Sequence, residues 1–373
     1  MKVLFGIKAM NNPGGGAERV LAAIASGFSQ RGHEVALLSF DAPGGAAYYP
    51  LNGAIKRLEL GIGDTTGPSG LFDTARRISA MRSVIQDYSP DLVVGFMHSM
   101  FLPLALSLAG LRIPLIASEH IVYQHYANRG LQRGLLWLLS NQSALMLCVS
   151  EEARSTYPKI FHDRIKVVPN PVTIAVEGRA DVVAPSKNRK LLLSVGRFDS
   201  QKDHATLIEA FARVAGKHPD WDLRVVGDGS LREPLEQQIA RLGLENRVSL
   251  PGSRREVASE YRDAQLFVLP SRYESFSLTT AEALAHGLPV VAFSDCPAIG
   301  HLIKSGENGV LVTAERSRVE PLADALDCLM RDPELRKRLA AGAQPLPEYS
   351  LGGVLNRWEE ICAEVASSRR APN

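Results

Sequence analysis

The chain has 373 residues, of which 45% are hydrophobic and 22% charged, and a formal net charge of +2. That length exceeds one ordinary core and suits two α/β domains, and the near-neutral balance gives no general drive toward nucleic acid. Cys148, Cys296, Cys328 and Cys362 are scattered with no CxxC pair, so they read as buried thiols of a reducing compartment, not a zinc site or disulfide frame.

Residues 3–7 form an apolar run too short for a signal-peptide core, and they predict a first strand. A glycine loop follows, then an amphipathic helix over 17–30. Strands are predicted at 34–40, 92–96, 115–118, near 145–150 and at 165–168. The longest apolar stretch, 101–118, is broken by Gly110, Arg112 and two prolines, so it reads as helix, turn and strand and not as a membrane span. A cytoplasmic location is expected, with peripheral membrane contact open.

Residues 172–188 are polar, small and irregular, which marks a linker. A second run then begins: strand 190–195, helix 204–217, strand 222–226, helix 231–242, strand 248–250, helix 256–262 and strand 266–270. The next strand is expected at 289–292, after a loop and helix. Strands alternating with helices predict a parallel, doubly wound sheet in each half, with a ligand cleft between the halves. The expected domains are 1–172 and 188–348. A final helix near 353–368, set apart by Pro345 and Pro347, folds back on the first domain.

Three stretches carry chemistry. In Asn12-Pro13-Gly14-Gly15-Gly16-Ala17-Glu18-Arg19 the glycines allow close backbone approach and the helix start favours an anion. The spacing is not GxGxxG, so dinucleotide binding is weakly supported, and a plain tight turn is the alternative. In Leu193-Ser194-Val195-Gly196-Arg197-Phe198-Asp199-Ser200-Gln201-Lys202 a strand ends and two cations follow, five positions apart. Arg197 can grip a phosphate with its planar fork and Lys202 can add a compact charge. Because Arg197 follows a buried strand, an unpaired charge there is expected to be costly; two solvated cations are the alternative. Glu274-Ser275-Phe276-Ser277-Leu278-Thr279-Thr280-Ala281-Glu282 sets two acids eight positions apart where a strand end meets a helix. Two acids beside an anion site fit a ligand that carries hydroxyls on both sides of a diphosphate. Thr279-x-x-Glu282 also fits a capping box.

The combination GGGAER, SVGRFDSQKD, VVGDGSLR and ESFSLTTAEALAHGLPVVAF closely resembles the retaining GT-B glycosyltransferases of family 4, over nearly the whole chain to about Leu311. The resemblance implies two Rossmann-like domains facing each other across a cleft. It implies that Gly15 and Gly16 approach a donor diphosphate that Arg197 and Lys202 hold, stabilising charge on the leaving group. Glu274 would contact hydroxyls of the transferred sugar, the amides of Phe276, Ser277 and Leu278 would add phosphate and sugar contacts, and Glu282 would hold the ribose. Ser253 and Arg254 would flank the base. His120 matches a first-domain histidine near the reacting sugar; a satisfied polar residue at a strand end is the alternative. Many relatives have glycine where this chain has Ser275 or Ser277. The implied mechanism is retaining, with no enzymatic nucleophile, no cofactor and no metal requirement.

The stretch His125 to Leu139 is basic first and apolar later, with Arg129 and Arg133 four apart. With Trp137 it can meet a membrane interface or a diphosphate, and some relatives that extend polyprenyl-diphosphate-linked glycans carry a basic helix in this region, which implies a lipid-linked saccharide acceptor; a core helix with two solvated arginines is the alternative. The expected partners are a UDP- or GDP-sugar and such an acceptor, at the inner face of a membrane. Another sugar-nucleotide enzyme of similar architecture is a second reading: an epimerase would convert donor alone and a phosphorylase would need free phosphate. A non-catalytic nucleotide-sugar-binding protein is the third, and it would bind donor without turnover.

Overall fold

Short runs of apolar residues, each followed by a turn and an amphipathic segment, fold into strands buried on both faces and helices that cover them. A computed structural model describes residues 1–11, 15–65, 70–126, 129–140, 144–172, 178–185 and 188–368. The chain divides into two compact units, Met1–Pro171 with Leu351–Asn373, and Val172–Ser350. Of the expected linker, 173–177 and 186–187 lie outside the described residues.

The first unit holds a seven-stranded parallel sheet: β1 Lys2–Gly6, β2 Glu34–Ser39, β3 Lys56–Glu59, β4 Leu92–Phe96, β5 Leu115–Ser118, β6 Leu145–Cys148 and β7 Ile165–Val167. Its order is β3-β2-β1-β4-β5-β6-β7. Side chains alternate between the two faces. Leu4, Val93 and Ala117 point into a core shared with the helices Leu71–Tyr88 and His98–Ser107. On the other face Phe5 meets Phe28 edge-on at 5.5 Å, in the helix Gly16–Gln30.

The second unit holds a six-stranded parallel sheet: β8 Lys190–Val195, β9 Trp221–Val226, β10 Val248–Ser249, β11 Leu266–Leu269, β12 Val290–Phe293 and β13 Gly309–Val312, in the order β10-β9-β8-β11-β12-β13. One core joins Leu192, Val268 and Val291 to the helices His204–Ala215 and Val319–Arg331. Both sheets reverse direction of build at a single point, between β1 and β4 and between β8 and β11. Crevices outside the carboxyl ends of strands at such points are where open α/β sheets take ligands.

The predicted strands form with ends shifted by a few residues at most. The expectations omit β3 and β13, and both are sheet edges. Lys56-Arg57-Leu58-Glu59 is half-exposed and polar, so it carries no buried-strand signature. Cys148, Cys296 and Cys362 are buried, but Cys328 is exposed on the helix Val319–Arg331, which corrects its reading as a buried thiol. Among the described residues, no helix is long and apolar enough to cross a membrane.

The last helix, Leu351–Ser368, packs on Gly16–Gln30 and β4. Trp358 is buried and stacks on Phe96 at 5.8 Å, and Glu359 binds Arg31 at 2.5 Å and His33 at 2.9 Å. A Cβ on Gly27 would come within 2.4 Å of Leu355 Cδ1, so a larger residue there would force the Leu355 side chain to shift. Removing the indole by Trp358→Ala should cost about 3–5 kcal/mol, the usual range for truncating a buried aromatic. Urea unfolding of the full chain measures it; a loss below about 1 kcal/mol would mean that the helix adds little to the first unit.

Candidate active site

At the reversal point of the second sheet two loops meet, Gly196 to Asp203 after β8 and Pro270 to Ser277 after β11. Lys202 Nζ lies 2.5 Å from Glu274 Oε1, and both side chains are largely buried. Ser271 Oγ donates to the same oxygen at 2.7 Å. The backbone joins the loops as well: Gln201 Nε2 donates to the Tyr273 carbonyl at 2.9 Å, and the Arg272 amide donates to the Gln201 carbonyl at 2.8 Å.

Arg318 braces the pair from the side. Its guanidinium donates to the carbonyls of Pro270 at 3.1 Å and Ser271 at 2.9 Å and grips both oxygens of Asp295. It also stacks 3.7 Å from the Phe293 ring and lies 3.4 Å from Asp203 Oδ2. A third loop buttresses the first from below. Gly227 and Gly229 have φ of +154° and +156°, and a Cβ there would meet Gly196 O at 1.9 Å and Phe198 O at 2.5 Å. Only glycine allows this contact.

Arg197 is exposed and paired with Asp199 Oδ2 at 3.0 Å. Its charge at the strand end is therefore met by an acid and by solvent, and the cost expected of an unpaired charge there does not arise. Phe198 takes the inward place, wholly buried, and Arg197 turns out to solvent. The alternative reading of Thr279 and Glu282 as a capping box is not what forms. Ser277 is the N-cap of the helix Leu278–Ala285 and is left-handed, with φ +64°. Its hydroxyl shares a 2.8 Å hydrogen bond with Thr280. Glu282 is instead buried a turn and a half into the helix and accepts from Tyr261 Oη at 3.0 Å. The left-handed backbone at Ser277 gives a physical reason for glycine at such a place, since non-glycine residues there cost roughly 1–2 kcal/mol. Ser275 is half-buried beside it, while the Phe276 ring is buried against Tyr349 and leaves only its backbone to a ligand. The first amides of this helix, from Leu278 on, have no acceptor within the helix. Ser253 is half-buried and Arg254 exposed in the loop after β10.

In the first unit, Gly14 lies outside the described residues, and Gly15 is the N-cap of Gly16–Gln30. The Glu18 carboxylate folds back so closely that a Cβ on Gly15 would meet it at 1.8 Å. His120 stacks on Phe96 at 4.9 Å and its Nε2 lies 3.0 Å from Ser118 Oγ. Burial pushes its pKa down to about 4, so the ring is neutral near pH 7. Glu119, one residue earlier, has its carboxyl wholly buried; the Tyr126 hydroxyl and the His120 amide, at 2.9 Å, donate to it. Burial raises its pKa to about 7. His98 approaches it with Nδ1 at 3.8 Å.

Residues 179–345 match the family model described as glycosyl transferases group 1, and residues 14–176 match that of glycosyltransferase family 4. The chain belongs to the family 4-like GT-B glycosyltransferases. An uncharacterized glycosyltransferase of Haemophilus influenzae is 26% identical, over 93% of this chain and 96% of that one. The GalNAc-α-(1→4)-GalNAc-α-(1→3)-diNAcBac-PP-undecaprenol α-1,4-N-acetyl-D-galactosaminyltransferase of Campylobacter jejuni is 25% identical, over 99% of this chain and 100% of that one. HepE of Anabaena, solved in complex with UDP and glucose, superposes with a TM-score of 0.79 at 21% identity, over 98% of this chain and all of that one.

In this glycosyltransferase Lys202 and Glu274 meet in the second unit, with Arg197 on the same loop as Lys202, its Nη2 3.5 Å from Gln201 Oε1, and the Ser277–Leu278 helix start following Glu274, whereas His120 stands in the first unit. Several residues of the site were missed from sequence. Gln201 lay inside a quoted motif but was passed over. Ser271 follows the strand end directly and was equally accessible. Arg318 and Tyr261 come from elsewhere in the chain, and no local spacing marks them; Glu119, in the first unit, directly precedes His120.

The buried Glu119 carboxyl makes a pH prediction. Its folded pKa, about 7, lies above the ordinary 4.5, so the folded chain holds this proton more tightly. That contribution is complete below the unfolded value and is lost as pH rises through about 7. His98 and His120, lowered to about 4, act with the opposite sign, so only a comparison isolates Glu119. Between about pH 5 and pH 8 the unfolding free energy of wild type should fall relative to Glu119→Gln by on the order of 3 kcal/mol. Urea titrations at both pH values give the difference, and a constant difference would refute the raised carboxyl.

Proposed function

We propose that this glycosyltransferase moves a sugar from a UDP- or GDP-sugar to a saccharide acceptor carried on a polyprenyl diphosphate, with retention at the anomeric carbon. The observation that carries the donor side is the Lys202–Glu274 pair at the reversal point of the second sheet, beside a helix start. In the free protein each charge neutralises the other, which offsets the cost of burying either alone. A donor diphosphate would draw Lys202 away, with Arg197 closing from the solvent side. Glu274 would then accept hydroxyls of the sugar, Glu282 those of the ribose, and the Leu278 end of the helix would favour the phosphates. Ser253 and Arg254 flank the base in this reading, and Gly15 and Gly16 approach the diphosphate.

In transfer, the bond from the anomeric carbon to the diphosphate oxygen breaks, a bond from the acceptor oxygen to that carbon forms on the same face, and the acceptor hydroxyl's proton passes to the departing diphosphate. Arg197 and Lys202 stabilise the charge that grows on the leaving oxygen. His120, neutral near pH 7, can hydrogen-bond a hydroxyl of the reacting sugar without adding charge.

HepE was solved with UDP and glucose, and the Campylobacter relative is named for an undecaprenyl-diphosphate-linked substrate. Both fit the reading. On the acceptor side, Arg129 and Arg133 are exposed at the start of the helix Gly130–Ser140, and Trp137 is 53% exposed one turn further on, next to the buried Leu136. This face suits peripheral contact with an anionic membrane at its cytoplasmic side.

Two measurements test these assignments. Glu274→Ala should abolish most transfer and leave UDP or GDP binding intact, whereas Lys202→Ala should weaken nucleotide binding about tenfold and lose transfer too. A thermal-shift panel reads the binding, since a ligand at 100 times its Kd adds about 2.7 kcal/mol. Near-normal transfer by Glu274→Ala would remove its assigned role. For the membrane, wild type should float with phosphatidylglycerol vesicles and Arg129→Glu/Arg133→Glu should stay soluble. Equal flotation would sink that part.

A further inference from the structure

The first sheet has its own reversal point, between β1 and β4, and cationic and imidazole side chains gather there. Lys8 stands two residues beyond β1 and His98 two residues beyond β4. His125 and Arg129 follow β5, the next strand in the sheet, and the Arg129 amide donates to the Tyr126 carbonyl at 3.0 Å. The His98 ring lies 5.7 Å from that of His125 and packs edge-on against Tyr126 at 5.1 Å.

His98 turns Nδ1 toward the buried Glu119, which leaves Nε2 on the opposite edge of the ring. Burial lowers the His98 pKa to about 4, with the positive fields of His125, Arg129 and Lys8 adding to it. Burial also lowers the Lys8 pKa, and Arg77 adds to this while Asp64 opposes it. Arg77 itself is turned away, donating to the carbonyls of Ile62 at 2.8 Å and Asp64 at 3.0 Å. The acid that backs the cluster, Glu119, is wholly covered by Tyr126 and the His120 amide and presents no carboxylate to the crevice. Two cations, Lys8 and Arg129, and two imidazoles, those of His98 and His125, thus stand at the carboxyl ends of neighbouring strands, with Asp64 acting on Lys8. An anion arriving here would relieve the repulsion among these groups.

The backbone supports the same point. Met97, which sets the direction of His98, has φ +66° and ψ 150°, a conformation that side chains rarely adopt. Its amide donates to the Ser118 carbonyl at 2.8 Å, and its own carbonyl accepts from Met100 and Phe101. Strain of this kind, held by surrounding bonds, gathers at functional sites.

We propose that the crevice between β1 and β4, built from Lys8, His98, His125 and Arg129, binds a phosphoryl group of the acceptor. The inference rests on the lipid-linked acceptor reading and gives it a place: the diphosphate of the acceptor, not only its sugar, is gripped by the first unit. Lys8 supplies the compact charge at the sheet, the two imidazoles donate from one flank, and Arg129 closes the other at the head of the basic helix.

The test uses the full chain and inorganic pyrophosphate as the probe, titrated by calorimetry into protein saturated with UDP or GDP, whichever binds. The nucleotide fills the donor site, so pyrophosphate reports the first unit. Lys8→Ala should weaken pyrophosphate about tenfold, the loss expected for one charged hydrogen bond, and His98→Ala less. Lys8→Arg should restore most of the binding, which excludes a folding defect. Nucleotide affinity should stay within about twofold. Equal pyrophosphate affinity in wild type and Lys8→Ala would overturn the proposal. A parallel fall in nucleotide affinity would overturn it too, by assigning Lys8 to the donor. Loss of phosphatidylglycerol-vesicle flotation in Lys8→Ala with pyrophosphate affinity unchanged would assign Lys8 to the lipid surface and likewise refute it. Should wild type bind neither nucleotide, the donor reading fails separately, and the Lys8→Ala comparison in nucleotide-free protein still decides the crevice.

Discussion

The buried ion pair between Lys202 and Glu274 is the constraint around which the second unit is arranged. Two opposite charges taken out of water need good geometry and further hydrogen bonds, or they destabilise the fold. Ser271, Gln201 and Arg318 provide that geometry from three separate segments. Asp203 ties the first loop to Arg272 and Arg318, and Asp295 fixes Arg318 from the end of β12. A change at Arg318 would therefore reach Glu274 through Ser271 without touching any ligand.

The strand and helix alternation was legible from sequence because parallel strands buried on both faces are continuous apolar runs, and such runs need no knowledge of their neighbours. The motif cations and acids were legible as types, and their meeting at one strand-end crevice follows from the order of the sheet. What could not be read was pairing. Lys202 and Glu274 were assigned to separate ligand groups, yet in the free protein they hold each other. Arg197 follows a buried strand, where an unpaired charge is costly, yet it faces solvent and pairs with Asp199 while Phe198 takes the inward position. A capping box at Thr279 and Glu282 fits the sequence, but the helix starts two residues earlier, with a left-handed Ser277 as its N-cap. Each miss concerns side-chain direction or partnership, which is set by contacts distant in sequence.

The two units use histidine in the same way. His98, His120 and His204 are all held neutral, chiefly by burial. Positive charge near the reversal points is thus left to lysine and arginine, which keep it at any physiological pH. The imidazoles add donors without adding repulsion. The acid beneath this cluster, Glu119, has its pKa raised to about 7 by burial.

The contribution of the C-terminal helix to the first unit also orders events in time. The second unit is one continuous stretch, Val172–Ser350, while the ring that covers Phe96 belongs to a helix that begins at Leu351. During synthesis the first sheet and the helix Gly16–Gln30 are made early, but the part of that face at Phe96 stays uncovered until the whole of the second unit has been made. The later-made unit can close its core first, and the earlier-made one must keep Phe96 from other partners until Trp358 arrives.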